Sequence, residues 1–291
     1  MVFLIFVWGS LTGFLGIFLL FSNLNPPGKY SNFAISYIYH PNVTAFVYTT
    51  SIIATIFYLF WKIKELSVFF KLALFLGLLL QFSGLFFTLC RAAVVGVLVG
   101  ISVYLCVISK RKTLLILPVL LISIPFLISK YIFLKGIASF YSRARLLIPA
   151  LDLITQSKAR FLFGYGISDS IVVFQRNSLL LVKDDINNPH NAILSLLIMF
   201  GAIFTIFLII CILFIMIKVF IRGWKSNDYK EKHFFAFLLS SMVALIVHNM
   251  FDSQLVMVEL FCLQFFLIYL GLSYYLIIFK SRKIPIEPIW K

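Results

Sequence analysis

A chain of 291 residues that is 62% hydrophobic and 18% aromatic but only 12% charged has too few polar groups to cover a water-facing surface, which excludes an ordinary soluble domain. Its net charge of +15 is spread in short basic groups between long apolar runs. That is the pattern of a topology signal, so the charge calls for no nucleic-acid partner. The expected fold class is all-α: a polytopic transmembrane helix bundle forming one integral membrane domain over residues 1–291.

Crossing the hydrocarbon core takes about 20 predominantly apolar residues. Eight stretches meet or approach this, at about 2–21, 43–61, 68–89, 92–109, 113–129, 191–217, 233–250 and 254–279. Their runs are continuous and too long for the alternating strands of a barrel, so helices are expected. The first lacks a basic leading region and a small-residue cleavage site, and reads as a retained span. Pro118 and Pro125 suggest a kink in the fifth.

Basic residues fall on alternate connections. Lys62, Lys64 and Lys71 flank the second, Lys110, Arg111 and Lys112 the fourth, Lys218, Arg222, Lys225, Lys230 and Lys232 the sixth, and Lys280, Arg282, Lys283 and Lys291 follow the last span. The positive-inside rule assigns these to the cytoplasm, with both termini. Facing outward are then residues 22–42, the tight corner at Arg91, the long segment 130–190 and the short corner 249–253. This outer side holds five of the eight arginines: Arg91, Arg143, Arg145, Arg160 and Arg176. The guanidinium fork suits bidentate phosphate recognition, although arginines near an interface also snorkel to lipid headgroups.

The outer segment 130–190 departs most from a generic bundle. Residues 131–138 are apolar enough for the interface, and Leu146, Ala150, Leu153 and Ile154 approximate a helical stripe with Arg143 and Arg145 near its start. The reading is an amphipathic interfacial helix with Pro149 as a candidate kink. Asp152 is a structural partner candidate for Arg145 or Lys158. Gly164 and Gly166, in Phe163-Gly-Tyr-Gly166, mark a turn of close backbone approach or positive φ. A polar stretch with Lys183, Asp184 and Asp185 leads to Asn188-Pro-His-Asn191, read as a helix start with Asn188 as N-cap and Pro189 in the first helical position. His190 would then sit in the first turn of the sixth span. The positive helix end and nearby arginines favour a neutral imidazole able to accept a proton, while a helix-capping histidine is the plainer alternative.

His248 and Asp252 share one helical face if the seventh span continues through both, which lets the carboxylate orient the imidazole; a polar helix end followed by a turn explains them equally. Glu259 is an intramembrane carboxylate with no visible partner. Cys90, Cys106, Cys211 and Cys262 lack metal or disulfide spacing and read as apolar packing residues. No Walker loop, HExxH or GxSxG pattern occurs, so the reading includes no metal site and no cofactor.

Taken in order, Thr88-Leu-Cys-Arg91-Ala-Ala-Val-Val-Gly96, Ser142-Arg-Ala-Arg145 through Asp152, Phe163-Gly-Tyr-Gly166, and Pro189-His-Asn-Ala-Ile-Leu194 before a span containing Gly201 resemble the O-antigen ligase and polymerase superfamily. His248-Asn-Met-Phe-Asp252 looks like a further element, so the resemblance runs from about Ser83 to the C-terminus. It implies a metal-independent glycosyltransferase of GT-C type in the bacterial inner membrane, active at the periplasmic face. The donor would be an undecaprenyl-diphosphate-linked glycan and the acceptor lipid A-core or another glycan, with membrane lipids as surroundings. Arg91 and Arg143 or Arg145 match the diphosphate-binding positions, and Arg160 is a further candidate phosphate contact outside that match. His190 matches the residue that activates the acceptor hydroxyl, with Asn191, Gly164, Gly166, His248 and Asp252 in support. Family members commonly have more spans, and often Ser-Arg-Gly where this chain has Cys90-Arg91-Ala92. Ligase, repeat-unit polymerase and protein oligosaccharyltransferase all remain open. A lipid-linked sugar transporter is the rival class, but the chain shows no internal repeat and its polar groups gather at one face.

Overall fold

The computed structural model describes residues 2–22, 41–111, 144–182, 189–250 and 260–279. Among them the secondary structure is helical, without strands. In chain order the helices are α1 (Val2–Phe21), α2 (Pro41–Lys62), α3 (Val68–Phe87), α4 (Arg91–Ser109), α5 (Leu147–Thr155), α6 (Lys158–Phe163), α7 (Ile167–Val182), α8 (Ala192–Lys225), α9 (Tyr229–Met250) and α10 (Leu260–Phe279). Five stretches are long and apolar enough to cross a membrane: Asn42–Lys62, Val68–Phe87, Arg91–Ser109, Ala192–Lys225 and Tyr229–Met250. Shorter apolar stretches lie at Leu4–Leu19 and Leu267–Leu276, within α1 and α10. These match seven of the eight apolar segments in position; the expected fifth, at 113–129, lies outside the described residues, as does Glu259.

Helix α2 is central, with Ala45, Phe46, Val47, Tyr48, Ile52 and Ala54 all buried. Its Thr49, Thr50 and Thr55 are also buried, and each hydroxyl donates to a carbonyl one turn back, which satisfies it without water. Buried Gln81 of α3 ties three helices together: its amide donates to the Phe6 carbonyl and Ser10 Oγ of α1, and its Oε1 accepts from Thr55 Oγ1 of α2. The opposite face of α3 exposes Phe69, Leu72, Phe75, Leu76 and Leu79, an apolar stripe suited to lipid.

Helices α4 and α9 run antiparallel with their backbones close together. A Cβ on Gly96 would come 2.6 Å from the Ala244 carbonyl oxygen, and one on Gly100 would come 2.9 Å from the Ala244 Cβ and 3.0 Å from the Ser240 carbonyl. Small residues four apart are the usual means of such approach in a membrane, where dispersion and not hydrophobicity drives helix association.

This antiparallel packing fixes which chain ends meet. At one end, Lys232 Nζ donates to the Ile108 carbonyl and the Tyr229 hydroxyl to the Phe60 carbonyl, both at 2.5 Å, gathering the lysine-rich connections. At the other, Cys90 Sγ lies 3.6 Å from His248 Nε2. Among the described residues, the basic connections near Lys62, Lys110 and Lys232 therefore share one end of the bundle. Replacing Gly96 by Val should cost about 1–3 kcal/mol through overpacking, read as a lowered midpoint in thermal unfolding of the detergent-purified chain. Val99→Ala, at a half-buried position on the same helix, should shift that midpoint far less.

Candidate active site

Helix α3 ends at a tight corner. Thr88 Oγ1 donates to the Leu85 carbonyl at 2.7 Å and accepts from the Cys90 amide at 3.3 Å. Between them Leu89 adopts φ 55°, a left-handed conformation that an L residue takes at a cost. The chain re-enters at once as α4, which puts Arg91 in the first helical position with its side chain exposed. Three first-turn N–H groups, those of Arg91, Ala92 and Ala93, and the helix dipole face the same way, so the corner combines a guanidinium with a helix N-terminus.

Helix α8 starts later than the sequence reading placed it. Asn191 is the N-cap: its Oδ1 accepts from the Leu194 amide at 3.0 Å, and the helix runs from Ala192. The expected cap at Asn188 and the placement of His190 in the first turn are therefore corrected. An Asn with two of its groups in use outcompetes the Pro-led alternative, because its Nδ2 also donates to the Met250 carbonyl of α9 at 2.8 Å. His190 precedes the cap, half-buried, with φ 50°. Its neighbour's bond to Met250 and the Cys90–His248 contact bring the α3–α4 corner, the His190 corner and the end of α9 together. His248 and Asn249 are buried there.

That meeting depends on a break in α8. Gly201 has φ 74° and ψ 179° inside an otherwise helical run of 34 residues. A straight helix of that length would extend about 50 Å, against about 33 Å for α9, and would carry Asn191 well past Met250. The break at Gly201 instead lets the outer piece, 192–200, end with Asn191 at Met250. At the break, the Ile198 and Met199 carbonyls accept from the Tyr165 and Gly166 amides, both at 2.8 Å. Gly164 (φ 72°) faces Gly201 backbone to backbone: a Cβ on either would lie within 2.6 Å of main-chain atoms of the other's segment. The expected Phe163-Gly-Tyr-Gly166 turn is thus a docking loop for the broken helix; at Gly166 (φ 85°) only the conformation demands glycine, since nothing lies within 4 Å of a built Cβ.

The expected amphipathic stripe is present in α5, but it faces protein. Leu146, Ala150, Leu153 and Ile154 are buried with Phe174 and Val182 of α7 and Ile198 of α8. Pro149 sits in the first turn of α5, where its missing amide costs nothing, so it does not kink the helix. Helix α7 went unread in the sequence, although Ser170, Phe174, Ser178 and Val182 recur every fourth residue and all are buried. Asp152 accepts from Asn177 Nδ2 at 3.0 Å, in place of the expected cationic partner.

The arginines are not equivalent. Arg145 donates to the Val182 carbonyl at 2.8 Å, closing α5 onto the end of α7. Arg160 donates to the Gly164 carbonyl at 3.3 Å and lies over the Tyr165 ring at 4.5 Å, beside the helix break and about 14 Å along the outer piece from Asn191. Burial raises the Tyr165 phenol above its usual range; the Arg160 cation opposes this and Asp152 adds to it. Among the described arginines, Arg91 adjoins the histidine corner, through its neighbour Cys90 against His248. Arg143 and Asp252 lie outside the described residues.

These features define a multi-pass helical membrane protein in which the Arg91 corner, the His190 corner and buried His248 meet at one end of the bundle. Residues 76–209, a little under half of the chain, match the family model described as O-antigen ligase, so this stretch is similar to that family. The matched stretch takes in Arg91, Arg145, Arg160, the glycine turn, His190 and Asn191, and stops before His248. No curated protein and no solved structure matches the chain. The family carries ligase- or polymerase-type glycan transfer, from a lipid-linked donor to a glycan acceptor in general.

If the break in α8 is held by its two borrowed amides, Gly201→Ala should strain the backbone by about 1–3 kcal/mol. Hydrogen exchange at the Tyr165 and Gly166 amides should then accelerate selectively, while amides within α4 keep their protection.

Proposed function

We propose that this protein transfers a glycan from undecaprenyl diphosphate to an acceptor hydroxyl in the synthesis of a cell-surface polysaccharide or lipopolysaccharide, as an O-antigen ligase does. The observation that carries the reading is the convergence of Arg91, at the start of α4, with His190 and His248, through the Cys90–His248 contact and the Asn191–Met250 hydrogen bond. Each belongs to a motif that the resemblance to the family singles out.

The chemistry needs few groups. Diphosphate departs readily, but charge builds on it as its bond to the anomeric carbon breaks. A guanidinium already placed beside the departing group stabilises that charge with little reorganisation cost. Arg91, next to the N-terminus of α4, serves this role, and Arg143, Arg145 and Arg160 are further diphosphate contacts. Arg145 and Arg160 also hold the outer helices in place through main-chain carbonyls. The acceptor hydroxyl must lose its proton as its oxygen attacks. His190 takes that proton, and attack opposite the departing diphosphate inverts the anomeric centre. Asn191, Gly164 and Gly166 fix the histidine corner, and His248 with Asp252 supports it. The site would face the periplasm, with both termini in the cytoplasm and no metal in the reaction.

The purified chain in liposomes, supplied with an undecaprenyl-diphosphate-linked glycan, should form product with lipid A-core, with a second donor molecule, or with both; which acceptor works separates ligase from polymerase. His190→Ala should lower the transfer rate about 10²- to 10⁴-fold, and transfer at the wild-type rate would sink the assignment. Arg91→Ala should cost about 10²- to 10³-fold, with Arg91→Lys recovering only part of it because a point charge lacks the bidentate fork. Movement of lipid across the bilayer with no product from any acceptor would instead favour a transporter.

A further inference from the structure

At the other end of α8, about 35 Å from the Gly201 break by helix rise, a cleft of about 500 Å³ is lined by Lys218, Ile221, Arg222, Lys225, Ser226 and Glu231. Three cations and one carboxylate line it. Charge placed only to set topology could lie anywhere around the helix, whereas residues 218, 222 and 225 are spaced by four and three and so share one face. The Arg222 guanidinium is fixed at the wall: its Nε donates to Glu231 Oε1 at 3.3 Å, Nη1 donates to the Leu276 carbonyl of α10 at 2.7 Å, and the group lies over the Phe235 ring at 5.2 Å. Ser226 Oγ donates to the other oxygen of Glu231 at 2.9 Å, which holds that carboxylate in place. Lys218 and Lys225 are exposed and extend the positive lining along the helix on either side.

The same stretch of α8 supplies an apolar approach. Phe214, Ile217 and Ile221 are 58%, 56% and 40% exposed, and Lys218 Nζ lies 5.4 Å from the Phe214 ring centroid, its stem running along the helix. A ligand that meets both features has an anionic phosphate at the membrane boundary and hydrocarbon beside it.

We propose that this cleft binds the phosphate headgroup of an anionic phospholipid, with its acyl chains along Phe214, Ile217 and Ile221. The phosphate sits at the level of Arg222 and is neutralised by Lys218 and Lys225. Basic pockets between membrane helices recognise headgroups by this combination of fixed charge and adjacent lipid. The site is separate from the histidine corner and does not depend on the reaction carried out there.

The test uses the full chain in nanodiscs containing equal phosphatidylglycerol and phosphatidylcholine of matched acyl chains, released for native mass spectrometry. Retained phosphatidylglycerol should exceed phosphatidylcholine in the wild type and fall about 20- to 30-fold in Lys218→Ala/Lys225→Ala, at about fivefold per lysine. Lys218→Arg/Lys225→Arg should retain it, and Lys64→Ala/Lys71→Ala, which removes two other cations of the same sidedness, should leave it unchanged. Added inorganic phosphate should not displace it at equimolar concentration. Equal retention of both lipids, loss with the Lys64/Lys71 pair as great as with the Lys218/Lys225 pair, or displacement by inorganic phosphate would each overturn the proposal. The readout is bound lipid, so its failure and a failure of glycan transfer are separate results.

Discussion

Two main-chain hydrogen bonds at a broken helix organise the polar end of this protein. Where α8 departs from helical geometry at Gly201, the Ile198 and Met199 carbonyls lose their partners within the helix and accept from Tyr165 and Gly166 instead. Orphaned carbonyls near a membrane are costly unless protein satisfies them, so the break and the loop are mutually obligatory. With that pairing in place, Asn191 can reach Met250, and α5 and α7 gain a surface to pack on.

The second constraint is the narrow seam between α4 and α9. Gly96 and Gly100 let the two backbones approach at Ala244 and Ser240, and this antiparallel register sets Cys90 beside His248. The seam carries no chemistry itself. It determines that the corner bearing Arg91 and the end of α9 share one end of the bundle, so a tightly packed apolar contact positions the polar site beyond it. The cost at that site is visible in the backbone, where Leu89 and His190 both hold left-handed φ values. Strain of this kind persists only where surrounding contacts over-determine it, and the flanking bonds of Thr88 and Asn191 supply those contacts.

The outer helices show how one residue type can serve two ends. Arginine is suited to phosphate, yet Arg145 and Arg160 each spend hydrogen bonds on the main chain, closing α5 onto α7 and bracing the glycine turn. A guanidinium has five N–H donors, so a structural bond at one nitrogen leaves others for an anion. At the opposite boundary Arg222 follows the same logic with Glu231 and Leu276, and the flanking lysines supply charge without rigidity.

Composition and hydropathy by themselves determined the class of protein, the positions of most of its long helices and the sidedness of its basic connections, because hydrocarbon tolerates almost no other arrangement of so apolar a chain. The α5 stripe was legible for the same reason, as burial imposes a period on sequence whatever covers it. What covers it was not legible: Leu146, Ala150, Leu153 and Ile154 would satisfy lipid as well as they satisfy α7 and α8. Nor could local pattern choose Asn191 over Asn188 as the cap, since the decision rests on Met250, 59 residues away. Gly201 entered the sequence reading only as a member of a motif-bearing span, and Cys90 as an apolar packing residue. Only tertiary structure made the first a break and set the second against His248, because both depend on atoms supplied by distant segments.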